Sequence, residues 1–328
     1  MNTVTMKWLL RREFWEYKGS MLWAPLAVAA LLVLSIGATM AYGLAMHDLP
    51  THITINGQTL NGYSVGVTLE LRNRIAQVAS SVYLGASLPL FGLLTAVIFS
   101  YCLGALHDER RDRSILFWKS LPVSDAMTVL SKAITALLVA PLITIVVGTI
   151  ASLLLLLIGC LALGVNGINI LGPILASPDL YLSPLRILAL LPVYLVWALP
   201  TVGWLLLVSS WARAKPLMWA VGAPLVGLLM VKWVSVAAEN IGGQPLNLMH
   251  HAQEVVARIL GGIVPGIWFS FHDGLPPALR PGPNGADMNS LVSGSYATLT
   301  HADAWLWALA GAAMLYAAMR LRRYRDEG

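Results

Sequence analysis

Few side chains in this sequence are of types and spacings that do enzyme chemistry. His250, His251, Glu254 and His272 share one stretch, and histidines with a carboxylate hold zinc when their spacing puts them on one face. The order is not His-Glu-x-x-His and meets no fixed ligand spacing, so no metal site is expected. No Ser-His-Asp set and no pair of carboxylates stands in a context suited to acid–base work. Phosphate-loop hydrolysis of ATP needs Gly-x-x-x-x-Gly-Lys-Ser/Thr, and the chain contains no Gly-Lys step. No catalytic residue, cofactor ligand or metal ligand is therefore expected on this chain, and any ATP with its magnesium belongs on a partner.

The elements that hold these residues follow from composition. Of 328 residues 57% are hydrophobic and only 11% charged. A soluble domain carries about 25% charge, so lipid is the solvent that suits this surface. The net charge of +5 does not indicate nucleic acid, because the basic residues flank apolar runs. Cys102 and Cys160 lie inside such runs and read as small packing residues.

A hydrocarbon core of about 30 Å needs roughly 20 apolar residues in a helix. Six stretches qualify, at 21–46, 83–106, 133–163, 185–209, 217–238 and 302–319. The expected fold is an all-α integral membrane protein forming one transmembrane domain over 1–328. The third stretch would be about 46 Å long as a helix. It must tilt, project or bend, with Pro141, Gly148 and Gly159 as candidate bends. Fourteen Lys and Arg residues fall on the side of both termini and five on the other. The positive-inside rule then puts both termini in the cytoplasm, and the bacterial inner membrane is the expected location.

The connections have character of their own. Residues 1–20 form a basic, aromatic helix suited to the headgroup layer. Met6, Leu10, Phe14 and Tyr17 share its apolar face, and Trp8 and Trp15 lie on the far flank. Asn56-Gly57 between β-branched residues signals a hairpin. The outer segment 239–300 holds a helical stretch, a Gly261-Gly262 break and a second apolar piece. It is too short to cross and suits a re-entrant or extracellular helical hairpin between spans five and six. Lys232 lies roughly 24 Å up the fifth span. It either snorkels to the outer interface or, with Glu239 on the same face, lines a pathway or gate.

The loop 107–125 after span two is the most informative. Asp108, Glu109, Arg110, Arg111 and Arg113 make its first half dense in charge. Ile115, Leu116, Phe117, Trp118 and Leu121 follow, before Pro122 ends the segment. A charged start with an apolar continuation suits a short helix docked in a groove of another protein. The plainer reading is a positive-inside loop. Ser124 or Asp125 is placed to cap the third span.

This region resembles ABC-2-type permeases, the membrane subunits of ATP-binding-cassette exporters. Glu109, Ser114, Ile115 to Phe117, Leu121-Pro122-Val123-Ser124 and Lys132 match that family's order, while Arg113 stands where a glycine is usual. The layout of an N-terminal interfacial helix, six spans and an outer hairpin is similar as well. The resemblance implies two copies of a separate cassette ATPase beneath two permease subunits, paired as a homodimer or heterodimer. It implies that Asp108 to Leu121 acts as the coupling helix, with Arg11, Arg12 and Glu13 on the N-terminal helix as a secondary ATPase contact. The cargo expected from spans rich in Trp and Leu is apolar or amphipathic, such as a peptide, a drug-like molecule or a lipid. Competing expectations are a non-transporting anchor or sensor for an ATPase, a polytopic membrane enzyme using the outer histidines, and an ion-coupled secondary transporter.

Overall fold

A computed structural model describes residues 3–46, 52–55, 58–61, 69–112, 123–165, 169–240, 248–271 and 288–324. Six of its helical segments are long and apolar enough to cross a membrane: Gly19–Ala45, Arg72–Arg111, Asp125–Val165, Pro178–Trp211, Pro216–Ala238 and Ala302–Tyr324. These match the six stretches expected from hydropathy and suit a multi-pass membrane protein. The helices run longer than the apolar stretches, because polar first and last turns extend them.

In chain order the helices are α1 (Thr3–Glu16), α2 (Ala24–Met46), α3 (Leu69–Val82), α4 (Leu88–Arg111), α5 (Asp125–Ile134) and α6 (Ala140–Val165). They continue as α7 (Leu171–Ala176), α8 (Pro178–Ala189), α9 (Leu191–Trp211), α10 (Pro216–Asn240), α11 (Leu248–Gly261), α12 (Met288–Ala297) and α13 (Ala302–Tyr324). A two-stranded antiparallel ribbon, β1 (His52–Ile55) and β2 (Gln58–Asn61), pairs Ile55 with Gln58, as the expected hairpin requires; Asn56 and Gly57 lie outside the described residues.

Proline sets where the long helices depart from α geometry. It lacks the N–H that would satisfy the carbonyl four residues back. Pro25 follows a π-helical turn at Gly19–Trp23, and Pro141 follows one at Thr135–Val139. Pro89 follows a 3-10 turn at Tyr83–Ser87. The third span is thus interrupted at the Pro141 turn. Gly148 serves packing instead, since a Cβ there would lie 2.9 Å from that of Ser87.

The centre of the bundle is α9, which packs most extensively on α13 and next on α4. A Cβ on Gly203 of α9 would meet the Gly311 carbonyl oxygen of α13 at 2.5 Å, and a Cβ on Gly311 would meet Leu199 and Pro200 backbone at 2.7 Å. The two helices therefore cross backbone to backbone. Ser209 ties α9 to α4, donating to the Leu103 carbonyl at 2.7 Å and accepting from the Leu106 and His107 amides. By contrast α2 and α10 lie at the periphery. Leu31, Leu34, Leu229 and Trp233 on them are exposed.

Candidate functional site

At the end of the bundle where α1 and the close of α13 meet, a charged network is buried among apolar helices. Lys132 of α5 is its centre. Its Nζ lies 2.9 and 3.1 Å from the Glu13 carboxylate oxygens and 3.0 Å from Glu109 Oε1. The Lys132 and Glu13 side chains are 0% exposed and Glu109 is 4% exposed. Tyr101 of α4 donates to Glu13 Oε2 at 2.9 Å, and its ring meets Tyr17 edge-on at 4.7 Å.

Arg322 of α13 extends the network. Its Nη1 donates to Glu109 Oε2 at 2.6 Å and its Nε to Asp125 Oδ1 at 3.1 Å. Arg12 of α1 reaches Glu109 Oε1 and Glu16 Oε2, each at 3.3 Å. Glu13, Glu109 and Asp125 thus face Arg12, Lys132 and Arg322, three acids against three cations as low-dielectric surroundings demand, with Glu16 a further carboxylate at the exposed edge, on Arg12. Around the rim of α1, burial pushes the Glu16 carboxyl above its usual range, helped by the nearby Glu13 charge and opposed by Arg12. Tyr17 is raised too, chiefly by burial and then by Glu16 and Glu13.

Local sequence explains the placement. Asp125, Thr128, Lys132 and Thr135 repeat at helical spacing and make one polar stripe on an otherwise apolar rod. Thr128, Lys132 and Thr135 are all buried. Ser124 caps this helix by accepting from the Met127 amide at 3.3 Å, as expected. Asp125 is left free of the cap and turns to Arg322. On α1 the buried residues are Met6, Leu9 and Glu13. Leu9 and Glu13, rather than Leu10 and Phe14, lie at the centre of its inner face.

The network encloses the roots of one segment. Glu109 sits in the last turn of α4, just before residues 113–122, and Asp125 opens the helix just after them. Arg322 holds both carboxylates at once. A single guanidinium therefore bridges the two helices that flank that segment and ties both to α13.

Several expected contact residues are placed by this geometry. Asp108, Arg111 and Asp112 are 41%, 66% and 62% exposed and form a surface cluster of ion pairs. Arg110 instead caps α9, donating to the Ser209 and Ala212 carbonyls at 2.6 and 2.9 Å. Glu109 and Glu13, expected to face an ATPase, point inward, because buried cations attract them. Arg11 is exposed with its guanidinium 5.4 Å from the Trp8 ring. Arg113, Ile115, Leu116, Phe117, Trp118, Leu121 and Pro122 lie outside the described residues. Lys232 is exposed on α10, and the side chain of Glu239 lies outside the described residues.

A further buried cation, outside this network, was counted in the sequence only as an outer-loop charge. Arg258 of α11 is 3% exposed and its Nη2 meets Glu254 and Asp303 at 2.7 Å each. Its guanidinium stands 4.8 to 5.5 Å from the rings of Phe271, Trp197 and Trp307. The following turn is seated on α9. Thr201 donates to the Arg258 carbonyl and accepts from the Gly262 amide. A Cβ on Gly262 would lie 2.4 Å from the Trp197 carbonyl oxygen, so only glycine allows this approach. Among the described residues no cluster of His, Cys, Asp or Glu is arranged to hold a metal.

No protein-family model, no curated protein and no solved structure matches the chain.

Proposed function

We propose that this chain is the membrane-embedded permease subunit of an ATP-driven exporter, with ATP and its magnesium bound on a separate cassette ATPase. The carrying observation is the double grip of Arg322 on Glu109 and Asp125, at the two roots of the 113–122 segment. A loop that merely links two spans has no need of a buried ionic brace around its ends. A loop that is pushed or pulled by a partner does, because the brace passes its displacement to the helices.

In this reading both termini and the braced loop lie in the cytoplasm of a bacterial cell, and the chain sits in the inner membrane. Two ATPase copies bind beneath two permease subunits, each gripping one loop. The exposed face of α1, with Trp8 61% and Trp15 55% exposed and Arg11 and Lys18 beside their rings, lies in the headgroup layer. The α11 turn and the apolar piece after it form the outer hairpin. A shift of the loop moves α4 against α5, and Arg322 must then carry α13 or release a carboxylate. Because α13 crosses α9 through Gly311 and Gly203, α9 moves with it. Its Thr201 and Trp197 underlie the outer hairpin. An apolar or amphipathic cargo is released on that side. The chain acts as a transport subunit and leaves hydrolysis to its partner.

Charge reversal belongs on exposed residues, since Glu109 is structural. Affinity purification from native membranes should recover a cassette ATPase with the wild type. Recovery should fall at least fivefold for Asp108→Lys with Arg111→Glu. Arg322→Lys keeps the charge but loses the fork that spans two carboxylates. That variant should retain the ATPase while transport into inverted vesicles drops. If no ATPase co-purifies with the wild type, or if both variants behave as wild type, the permease reading fails.

A further inference from the structure

We propose that the groove between the start of α5 and the end of α13 binds the phosphate of an anionic lipid headgroup. This inference does not depend on the permease reading. The groove is a cavity of about 690 Å³ whose polar wall includes Arg320, Arg322, Arg323 and Asp125. Among the described residues Asp125 is the single carboxylate in that wall, and it is already committed to Arg322 at 3.1 Å. Arg322 in turn is neutralised from inside by Glu109 at 2.6 Å. The surplus charge of the wall therefore rests on Arg320 and Arg323.

Both are exposed, and among the described residues neither joins an ion pair. Arg320 is oriented by neutral partners. Its Nε donates to the Tyr316 hydroxyl at 2.9 Å and its Nη1 approaches the Tyr324 hydroxyl at 3.5 Å. Phenols aim a guanidinium without cancelling its charge, which leaves the cation available to an anion. A planar guanidinium suits phosphate oxygens, which it can meet with two parallel N–H bonds.

Depth in the membrane decides the source of the phosphate. Tyr324 closes the sixth span and Tyr316 lies two turns before it, 71% and 56% exposed. Exposed tyrosines at a span end mark the headgroup level. The rest of the lining includes Val123, Ala126 and Met319, an apolar wall suited to glycerol and the first acyl carbons. A soluble phosphate would leave that wall wet. Basic pockets between helices at this level are where anionic headgroups dock.

The test uses the full chain, delipidated in detergent and then placed in bilayer discs of phosphatidylcholine with phosphatidylglycerol. Native mass spectrometry after release reads retained phosphatidylglycerol. The wild type should keep it. Arg320→Gln with Arg323→Gln should lower retention by about tenfold to thirtyfold, from the loss of two near-surface cations. Arg320→Lys with Arg323→Lys should keep most of it. Arg213→Gln with Lys215→Gln removes equal charge from exposed positions between α9 and α10, and should leave retention unchanged. Equal losses in the two Gln pairs would mean general surface attraction and overturn the site. In lipid-free detergent, inorganic phosphate should not shift the unfolding midpoint. A shift as large as that given by phosphatidylglycerol would assign the groove to soluble phosphate and overturn the lipid assignment.

Discussion

Replacing Lys132 with methionine removes the cation at the centre of the buried network while keeping most of the side-chain volume. Three contacts vanish, at 2.9 and 3.1 Å to Glu13 and 3.0 Å to Glu109. The two carboxylates do not suffer equally. Glu109 keeps Arg322 at 2.6 Å and Arg12 at 3.3 Å. Glu13, at 0% exposure, is left with the Tyr101 hydroxyl at 2.9 Å. A buried ion stripped of its partner costs about 3–5 kcal/mol, and the loss is concentrated on Glu13. Against a total stability of about 5–15 kcal/mol, that is about a fifth or more. The assay is reversible unfolding of the full chain in mixed micelles as the fraction of denaturing detergent rises. Glu13→Gln alone should cost less, because Lys132 keeps Glu109. The double variant should recover at least about 2 kcal/mol relative to the sum of the two single losses, since a neutral pair leaves no stranded charge. A Lys132→Met cost below about 1 kcal/mol, the value of an exposed pair, would refute the burial of this network. So would strict additivity.

Gly311→Ala would push a methyl to 2.7 Å from the Leu199 and Pro200 backbone, so α9 and α13 must part at a cost of about 1–3 kcal/mol. Gly222→Ala on α10, with nothing within 4 Å, should change stability by less than about 0.5 kcal/mol in the same assay. The raised Glu16 carboxyl sets a pH dependence. Its folded pKa lies above the 4.5 reference, so the folded state binds more protons and stability falls as pH rises from 4.5 through the raised value. Glu16→Gln should flatten that slope and slow hydrogen exchange of α1 amides at neutral pH. An unchanged slope would show that Glu16 is not the group responsible.

How much of this was legible in the residues differs by element. The six spans were, because a run of some 20 apolar residues admits little besides a spanning helix. The hairpin register followed from Asn56-Gly57, and the break in the third span from Pro141. The ionic network was not. Glu13 lies 119 positions before Lys132, and Glu109 lies 213 positions before Arg322. Nothing local couples such residues. Counting charges by side of the membrane treats Arg322 as one more flanking cation and Glu13 as a surface acid. One signal was present, the polar stripe of Asp125, Thr128, Lys132 and Thr135 on an apolar helix. A lysine repeating with threonines on one face asks for a buried counter-ion. Arg258 gave a weaker signal, since Glu254 four residues earlier explains a surface pair equally well, and its aromatic enclosure draws on three separate segments.

The placement of the network bears on why it exists. A buried ion pair stabilises a fold little more than well-packed apolar residues of the same volume would, so stability alone does not account for six charges gathered here. What an ionic brace provides is discreteness. Apolar faces slide past one another with small changes in contact, whereas a charge-assisted bond of 2.6 Å is either made or lost. Arg322 makes two such bonds, to carboxylates that flank one loop. Any change in the spacing of α4 and α5 beyond a fraction of an ångström must break one of them or drag α13 along. Breaking is costly because Arg322, 4% exposed, would lose one of its two carboxylates, so dragging is favoured. Α13 is the helix welded to the bundle centre through Gly311 and Gly203. In the proposed permease mechanism the brace turns a local movement at one loop into a displacement of the central helix pair, and it does so in steps.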